Sequence, residues 1–452
     1  TDWIRCEADL RAGRIANFAA CSRSGSTTAQ RAGNPDLKPE ESETWGMGVV
    51  YEPRFVYHGF RHVEVTGFPG APKLSDLEGR VVCDALDRAG EFSCSNALIN
   101  RIYRNMYWGF LGNYKSIPMD CPQRDERQGW FGDRCEVSRG EMYMFDTAAF
   151  DTKWLRDIRD SQLDDGRLPD LAPAYWSFYT QSITFPSILV DMVGYLHTEY
   201  TDTRAIETNY DCMRKWIDME IGRLVDGIMP PDTYGDWCSP PERPELIRQG
   251  VFSRATSPDL VSTAWFYHNL KLMARHASIL GKKDDAGRFI EVADRIKAAF
   301  NARFLDEATG TYDNGSQTSS ILPLAFGLTP DEQRQRVFEN LIRNICDETD
   351  GHLSVGQMGC KWLMRTLTDN GRPDVAYRLA TQTTYPSWGY TIEQGATTIW
   401  ELWNGDVGNP GMNSLNHVMQ IGDLLLWLHH CVAGIAPDEE RPGFKHIVMR
   451  PL

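Results

Sequence analysis

From about residue 95 to residue 435 the apolar residues recur at three- and four-residue spacing, segment after segment. That period is helical, and its persistence through most of the chain leaves little room for a sheet. The segments run 95–115, 135–160, 181–200, 204–222, 258–280, 283–303, 317–327, 330–345, 354–368, 372–382 and 413–432, with a shorter one near 389–395. Stop signals separate them: Thr201-Asp202-Thr203, Leu280-Gly281 and Thr329-Pro330-Asp331. About twelve helices joined by alternately short and long loops make six antiparallel hairpins. Such a set can close into a barrel that carries its long loops on one face.

The flanks read differently. In 48–92 the stretch Phe60-Arg61-His62-Val63-Glu64-Val65 alternates and Val81-Val82 follows a Gly- and Pro-containing turn region, so short β-strands are expected, a fragment of a β-sandwich domain. At 436–452, Ile447-Val448-Met449 follows a proline-rich turn and reads as the first strand of a C-terminal β-domain. Residues 1–47 lack a hydrophobic period and are expected to form a poorly structured segment outside the enzyme. The phrase GNPDLKPEESETWGMGVVYEP, which begins within them, resembles a segment of TonB-dependent outer-membrane receptors over about twenty residues. No barrel strands follow it, so no receptor function is assigned.

Composition narrows the chemistry. No run of eighteen apolar residues is present to span a membrane as a helix. No charged-then-apolar leader follows Thr1, so a signal peptide is not expected here; a periplasmic or extracellular setting stays open. A net charge of −15 repels nucleic acid and fits a neutral partner such as a sugar. The eleven cysteines, Cys6 to Cys431, form no C-x-x-C pair and attract no histidine cluster, so no zinc site is expected and most read as reduced, buried side chains.

Four inter-helix stretches carry the polar and aromatic residues. The densest is DCPQRDERQGWFGD, Asp120 to Asp133, where Arg124 and Arg127 interleave with four acids around Trp130. Pro118 and Pro122 keep its start out of a helix, and Gly129 and Gly132 permit turns. Cysteine, tryptophan and phenylalanine are poor choices for a merely solvated loop. The second, YPSWGYTIEQGATTIWELWNG, sets Trp388, Tyr390, Trp400 and Trp403 around Glu393 and Glu401. Aromatic faces stack on sugar C–H faces while carboxylates bond hydroxyls; the bland alternative is an aromatic core layer with surface glutamates. The third, TYGDWCSPP, puts Asp236 and Trp237 on the long-loop face, and the fourth is DDGRLPDLAPAYW, Asp164 to Trp176.

Taken together, these blocks resemble α-L-rhamnosidases of glycoside hydrolase family 78. The likeness runs from about Arg54 to Leu452, through PRFVYHGFRHVEVTGFPG, DCPQRDERQGWFGD, TYGDW, the Tyr385–Gly405 block and PGMNSLNHVMQIGD. It implies an (α/α)6 barrel over 93–435, flanked by β-sandwich domains and acting on terminal α-linked rhamnose. By the same likeness Glu126, in RDER, is the general acid and Glu401, in IWE-x-W, the general base. Asp120 and Asp133 match acids that hold sugar hydroxyls, Arg124 and Trp130 their neighbours, Trp237 an aromatic wall, and His417 a histidine near the base. Trp388 joins the expected substrate-binding residues as an aromatic of the second block. Leu402 and Asn404 depart from the commonest pattern, which bears on aglycone preference.

The reading needs no metal or cofactor. One carboxyl must be protonated and the other ionised; Trp130 is expected to raise the pKa of Glu126 by burying it, and Glu401 to activate water on the opposite ring face. Inversion requires carboxyls roughly 6.5–9.5 Å apart, against about 5–5.5 Å for retention, and the wider spacing is expected. Rivals are another six-hairpin glycosidase, a polysaccharide lyase, which would leave an unsaturated sugar, and a carbohydrate-binding protein that releases none.

Overall fold

The computed structural model describes residues 57, 63–65, 68, 70–246, 255–407 and 413–452. The chain divides after residue 56, and the expectation for residues 1–47 lies outside the described residues. Helices alternate between an outer and an inner position. The hairpins are α1 (Ala97–Asn113) with α2 (Phe131–Glu141), α3 (Ala148–Asp160) with α4 (Ser187–Tyr200), and α5 (Thr203–Ile221) with α6 (Pro258–Ile279). They continue with α7 (Lys283–Phe304) and α8 (Gln317–Phe326), α9 (Asp331–Arg343) and α10 (Gln357–Asp369), and α11 (Pro373–Ala380) with α12, which is Leu424–Trp427 prolonged by a π turn, Leu428–Val432. Each even-numbered helix packs on the next even-numbered one, and α12 closes the ring on α2. This is the six-hairpin barrel expected.

Burial explains which helix goes where. Outer helices carry one apolar stripe: α9 buries only Val337, Phe338 and Leu341. Inner helices are covered all round, as in α4, where every residue from Ser187 to Val193 is buried. Asn96, Asp202 and Ser316 cap α1, α5 and α8 through their side chains, and proline opens α6 and α11. Links from an inner helix to the next outer one are short (142–147, 201–202, 280–282, 327–330, 370–372), whereas 114–130, 161–186, 222–257 and 381–423 are long. Every long loop enters the N-terminus of an inner helix. All therefore gather at one end of the barrel, where the positive ends of the inner helix dipoles also point.

Three helical expectations shift. The segment 135–160 is two helices, because Met142-Tyr143-Met144-Phe145 turns the chain while remaining apolar, so the break left no mark in the pattern. Helix 181–200 begins at Ser187, since the N–H groups of Ile183 and Thr184 donate to Asp232 instead of to a helix. The segment 413–432 becomes helical only near Met419, because His417 N–H donates to Ile399 C=O at 2.8 Å and Glu401 N–H to Ser414 C=O at 2.9 Å, holding residues 414–417 extended beside residues 399–401 of the same loop.

Strands are few. β1 (Leu305–Asp306) pairs with β2 (Thr311–Tyr312), and β3 (Ile435–Pro437) with β4 (Ile447–Met449), both antiparallel. The expected C-terminal strand thus folds back on the end of the barrel. Val81 and Val82 are exposed and form no strand: a strand exists by pairing, and among the described residues none lies beside them. Phe60–His62 fall outside the described residues. Every cysteine among the described residues is an unpaired thiol. Among them, no helix is long and apolar enough to cross a membrane.

Candidate active site

At the long-loop end a cavity of about 200 Å³ is lined by Asp120, Arg124, Glu126, Trp130, Asp133, Phe185, Tyr234, Trp237, Gln357, Glu401, His417 and Met419. Residues from four loops and two inner helices meet there. The 114–130 loop is pinned to the 161–186 loop by Phe131 N–H to Asp170 C=O at 2.9 Å and Ala172 N–H to Gly129 C=O at 3.0 Å. Gly129 is required at this crossing, since a Cβ there would stand 2.3 Å from Ala172 C=O oxygen. Gly132 makes room for Phe185, whose ring would lie 2.3 Å from a Cβ at that position. Phe185 stacks on Tyr234 with centroids 3.9 Å apart, and Tyr234 donates to Asp170 at 2.9 Å. The fourth sequence block therefore serves as a strut behind the pocket wall.

Arg124 joins the two glutamates. Its Nη2 lies 2.5 Å from Glu126 Oε2 and 3.4 Å from Glu401 Oε2, so those oxygens are no farther apart than the two distances end to end, about 5.9 Å. The near oxygens thus stand closer than the wider range expected, because one guanidinium draws both toward it. Trp130 Nε1–H donates to Glu126 Oε1 at 3.0 Å. The indole meets Glu126 with its N–H edge and not with an apolar face, which corrects the expected manner of contact. Glu401 Oε2 accepts the Ser414 N–H at 2.6 Å.

Burial pushes Glu401 up to about 7, against the opposing pull of Arg124 and the Ser414 N–H. Burial and the neighbouring Glu126 push Asp120 up to about 8. Asp133 is raised well above the usual range, by burial first and then by Asp120, Glu401 and Glu126. With four carboxyls around one arginine, some keep their protons near neutrality. Burial, then Arg124 and Arg134, lower His417 to about 3, so its ring is neutral. Its Nδ1 accepts the Met419 N–H at 3.2 Å, which leaves the proton on Nε2 to be donated to Asp133 at 3.1 Å.

Asp120, Cys121 and Glu126 place ligand-type atoms within 4.8 Å of one another. Burial and Asp120 raise the Cys121 thiol, which keeps its proton, and Arg124 already supplies the positive charge. That chemistry does not suit a metal ion.

Eight of the nine residues singled out in the sequence line this cavity; Trp388 does not. It packs edge-on to Trp403 at 5.5 Å and donates to Gln420 C=O at 2.7 Å. Trp400 and Trp403 are buried as well, while Glu393 faces solvent. Asp236 is not exposed either. It is fully buried and accepts from Thr318 Oγ1–H at 2.6 Å and from the N–H groups of Gly356 and Gly359. Asn404 donates to Pro244 C=O at 2.9 Å, tying loop to loop. Phe185, Tyr234, Gln357 and Met419 were missed. Tyr234 sat inside the TYGDW block and Met419 inside PGMNSLNHVMQIGD, so both could have been found; Phe185 and Gln357 have neighbours that read as ordinary helix starts.

A second cavity, also about 200 Å³, opens at the opposite end between Asp191, His268, Arg139, Arg275 and Glu439. Its charges satisfy one another: Asp191 binds Lys361 and His268, and Glu439 binds both arginines. In the long-loop cavity, by contrast, Asp120 Oδ2, Arg124 Nη1 and both ends of the Gln357 amide have no partner among the described residues.

Residues 87–432 match the bacterial alpha-L-rhamnosidase six-hairpin glycosidase domain, and residues 38–83 the concanavalin-like domain of bacterial alpha-L-rhamnosidases. The second match starts ahead of the boundary expected at residues 47–48. An alpha-L-rhamnosidase of Streptomyces avermitilis is 37% identical over 421 residues, 92% of this chain and 38% of that protein. The alpha-L-rhamnosidase structure from Dictyoglumus thermophilum superposes with a TM-score of 0.82 at 40% identity, over 89% of this chain and 44% of that one. The Streptomyces avermitilis enzyme complexed with L-rhamnose gives 0.82 at 37% identity, over 89% and 38%. The chain thus spans less than half the length of the curated relatives it matches.

Proposed function

This chain belongs to the family of bacterial α-L-rhamnosidases built on a six-hairpin glycosidase domain, and we propose that it hydrolyses terminal α-L-rhamnosides by acid–base catalysis with inversion. The observation that carries the reading is the pair Glu126 and Glu401, brought from distant loops into one cavity and bridged by Arg124. Glu126 protonates the departing oxygen and Glu401 removes a proton from the attacking water. For that water to enter, Glu401 exchanges its contact with Arg124, the longer of the arginine's two. Asp120, with one buried oxygen unpaired, and Asp133, set by His417, hold ring hydroxyls. Trp237, Phe185 and Met419 supply an apolar wall for the C6 methyl group of a 6-deoxy sugar. The relative bound to L-rhamnose lends the substrate class.

A panel of aryl glycosides tests the substrate: release from p-nitrophenyl α-L-rhamnoside and from no other sugar is expected. Proton NMR of the first minutes should show β-rhamnose; α-rhamnose formed first overturns inversion. Trp237→Ala should weaken L-rhamnose binding by about 1–3 kcal/mol through lost apolar contact, read by calorimetry, and unchanged affinity would remove Trp237 from the pocket.

A further inference from the structure

Gln357 opens α10, and its position is over-determined. Its N–H donates to Trp237 C=O at 2.7 Å, and the neighbouring Gly356 and Gly359 N–H groups bind the buried carboxylate of Asp236 at 2.9 and 3.0 Å. Gly356 lies so close that a Cβ there would stand 2.4 Å from Asp236 C=O oxygen. The first turn of α10 is thus clamped to the loop that carries Trp237. The Gln357 side chain is fully buried, yet neither Nε2 nor Oε1 has a hydrogen-bond partner, and it lines the cavity of Glu126 and Glu401. Buried amides are nearly always satisfied, and leaving both ends unpaired is costly. A packing role would be served better by an apolar side chain of the same length.

We infer that Gln357 is a substrate-binding residue whose amide takes a ring hydroxyl of the sugar, donating from Nε2 and accepting at Oε1. The inference rests on the reading of this cavity as a sugar site. Among its polar groups Asp120 Oδ2 and Arg124 Nη1 are likewise buried and unpaired, but both belong to the charged cluster around the glutamates. Gln357 is neutral at every pH, and its Nε2–H can donate to a hydroxyl oxygen while its Oε1 accepts from a hydroxyl O–H, so it reads hydroxyl positions without altering the charge balance of the acids. A site that bonds a hydroxyl rejects the analogue lacking it far more strongly than an apolar pocket rejects a missing methylene.

The test is a cycle of Gln357→Met, which keeps length and volume, against L-rhamnose and its 2-, 3- and 4-deoxy forms, with binding measured by calorimetry and stability by thermal unfolding. L-rhamnose binding should fall roughly ten- to a hundredfold in Q357M, with Tm unchanged or raised because two unpaired buried groups are gone. One deoxy sugar should bind wild type and Q357M alike, identifying the hydroxyl. Gln357→Leu repeats the comparison with donor and acceptor both removed, and should lose affinity for the same hydroxyl. Equal L-rhamnose binding by wild type and Q357M, no binding by either, or a lower Tm with the deoxy penalties unchanged overturns the inference. Sugar binding that depends on Gln357 without rhamnoside hydrolysis sinks the proposed function alone.

Discussion

Glu401→Gln is expected to lower kcat by about 10²–10⁴-fold on every rhamnoside, whatever its leaving group, because a general base is worth about that much and serves every substrate equally. The substitution preserves shape and the acceptor for the Ser414 N–H, so folding and KM should change little. In the parent protein the proposed base, Glu401, is raised by burial to about 7. The sign follows: kcat/KM falls as pH drops through about 7, where Glu401 takes up a proton. Arg124 is the strongest influence holding that value down, so Arg124→Met should move the acidic limb to higher pH as well as slow the reaction. In Glu401→Ala, added azide should restore turnover with an inverted product. Full activity of Glu401→Gln, or an acidic limb indifferent to Arg124, would remove Glu401 from the role of base.

The barrel was legible because its outer helices carry an apolar stripe and its turns carry Gly, Pro, Asp and Thr. What stayed hidden follows from how the inner ring is built. α2 reads as polar, yet from Phe131 to Ser138 it is buried, and it holds its charge by pairing Arg134 with Glu141 at 2.6 Å. No period in the sequence announces a buried ion pair, so its boundaries merged with those of α3. The loop blocks were legible for another reason: acids, arginine and indole within fourteen consecutive positions have few structural uses, and seven residues of that block and its partners, together with His417, face one cavity. The Tyr385–Gly405 block misled in part. Its tryptophans are core, and a sequence cannot distinguish an indole stacked on sugar from one stacked on another indole. Asp236 misled likewise: three donors from α8 and the start of α10 converge on it, and those partners lie far away along the chain. Gln357 was silent because nothing in a single helix-opening glutamine tells that its amide will be left unpaired.

Glu126→Gln should show a different pattern, and the difference separates acid from base. Glu126 Oε2 is held by Arg124 and Oε1 by the Trp130 indole N–H at 3.0 Å, so the carboxyl is aimed by two fixed donors in a loop that Gly129 presses against Ala172. Such a group can be relied on to meet the departing oxygen at one angle. A dinitrophenol leaves as its anion and needs no proton, so kcat/KM for the dinitrophenyl rhamnoside should stay within a few-fold of the parent value. A rhamnoside of a sugar or a simple alcohol cannot leave unprotonated, and its rate should fall by the full contribution of a general acid, about 10²–10⁴-fold. Plotted against leaving-group pKa, log kcat/KM should be shallow in the parent and steep in the variant. Trp130→Phe, which keeps the ring and removes the N–H, should produce a weaker version of the same steepening. A uniform loss across the whole series would instead mean that Glu126 acts on the sugar ring or on Arg124, and the acid would have to be sought among Asp120 and Asp133.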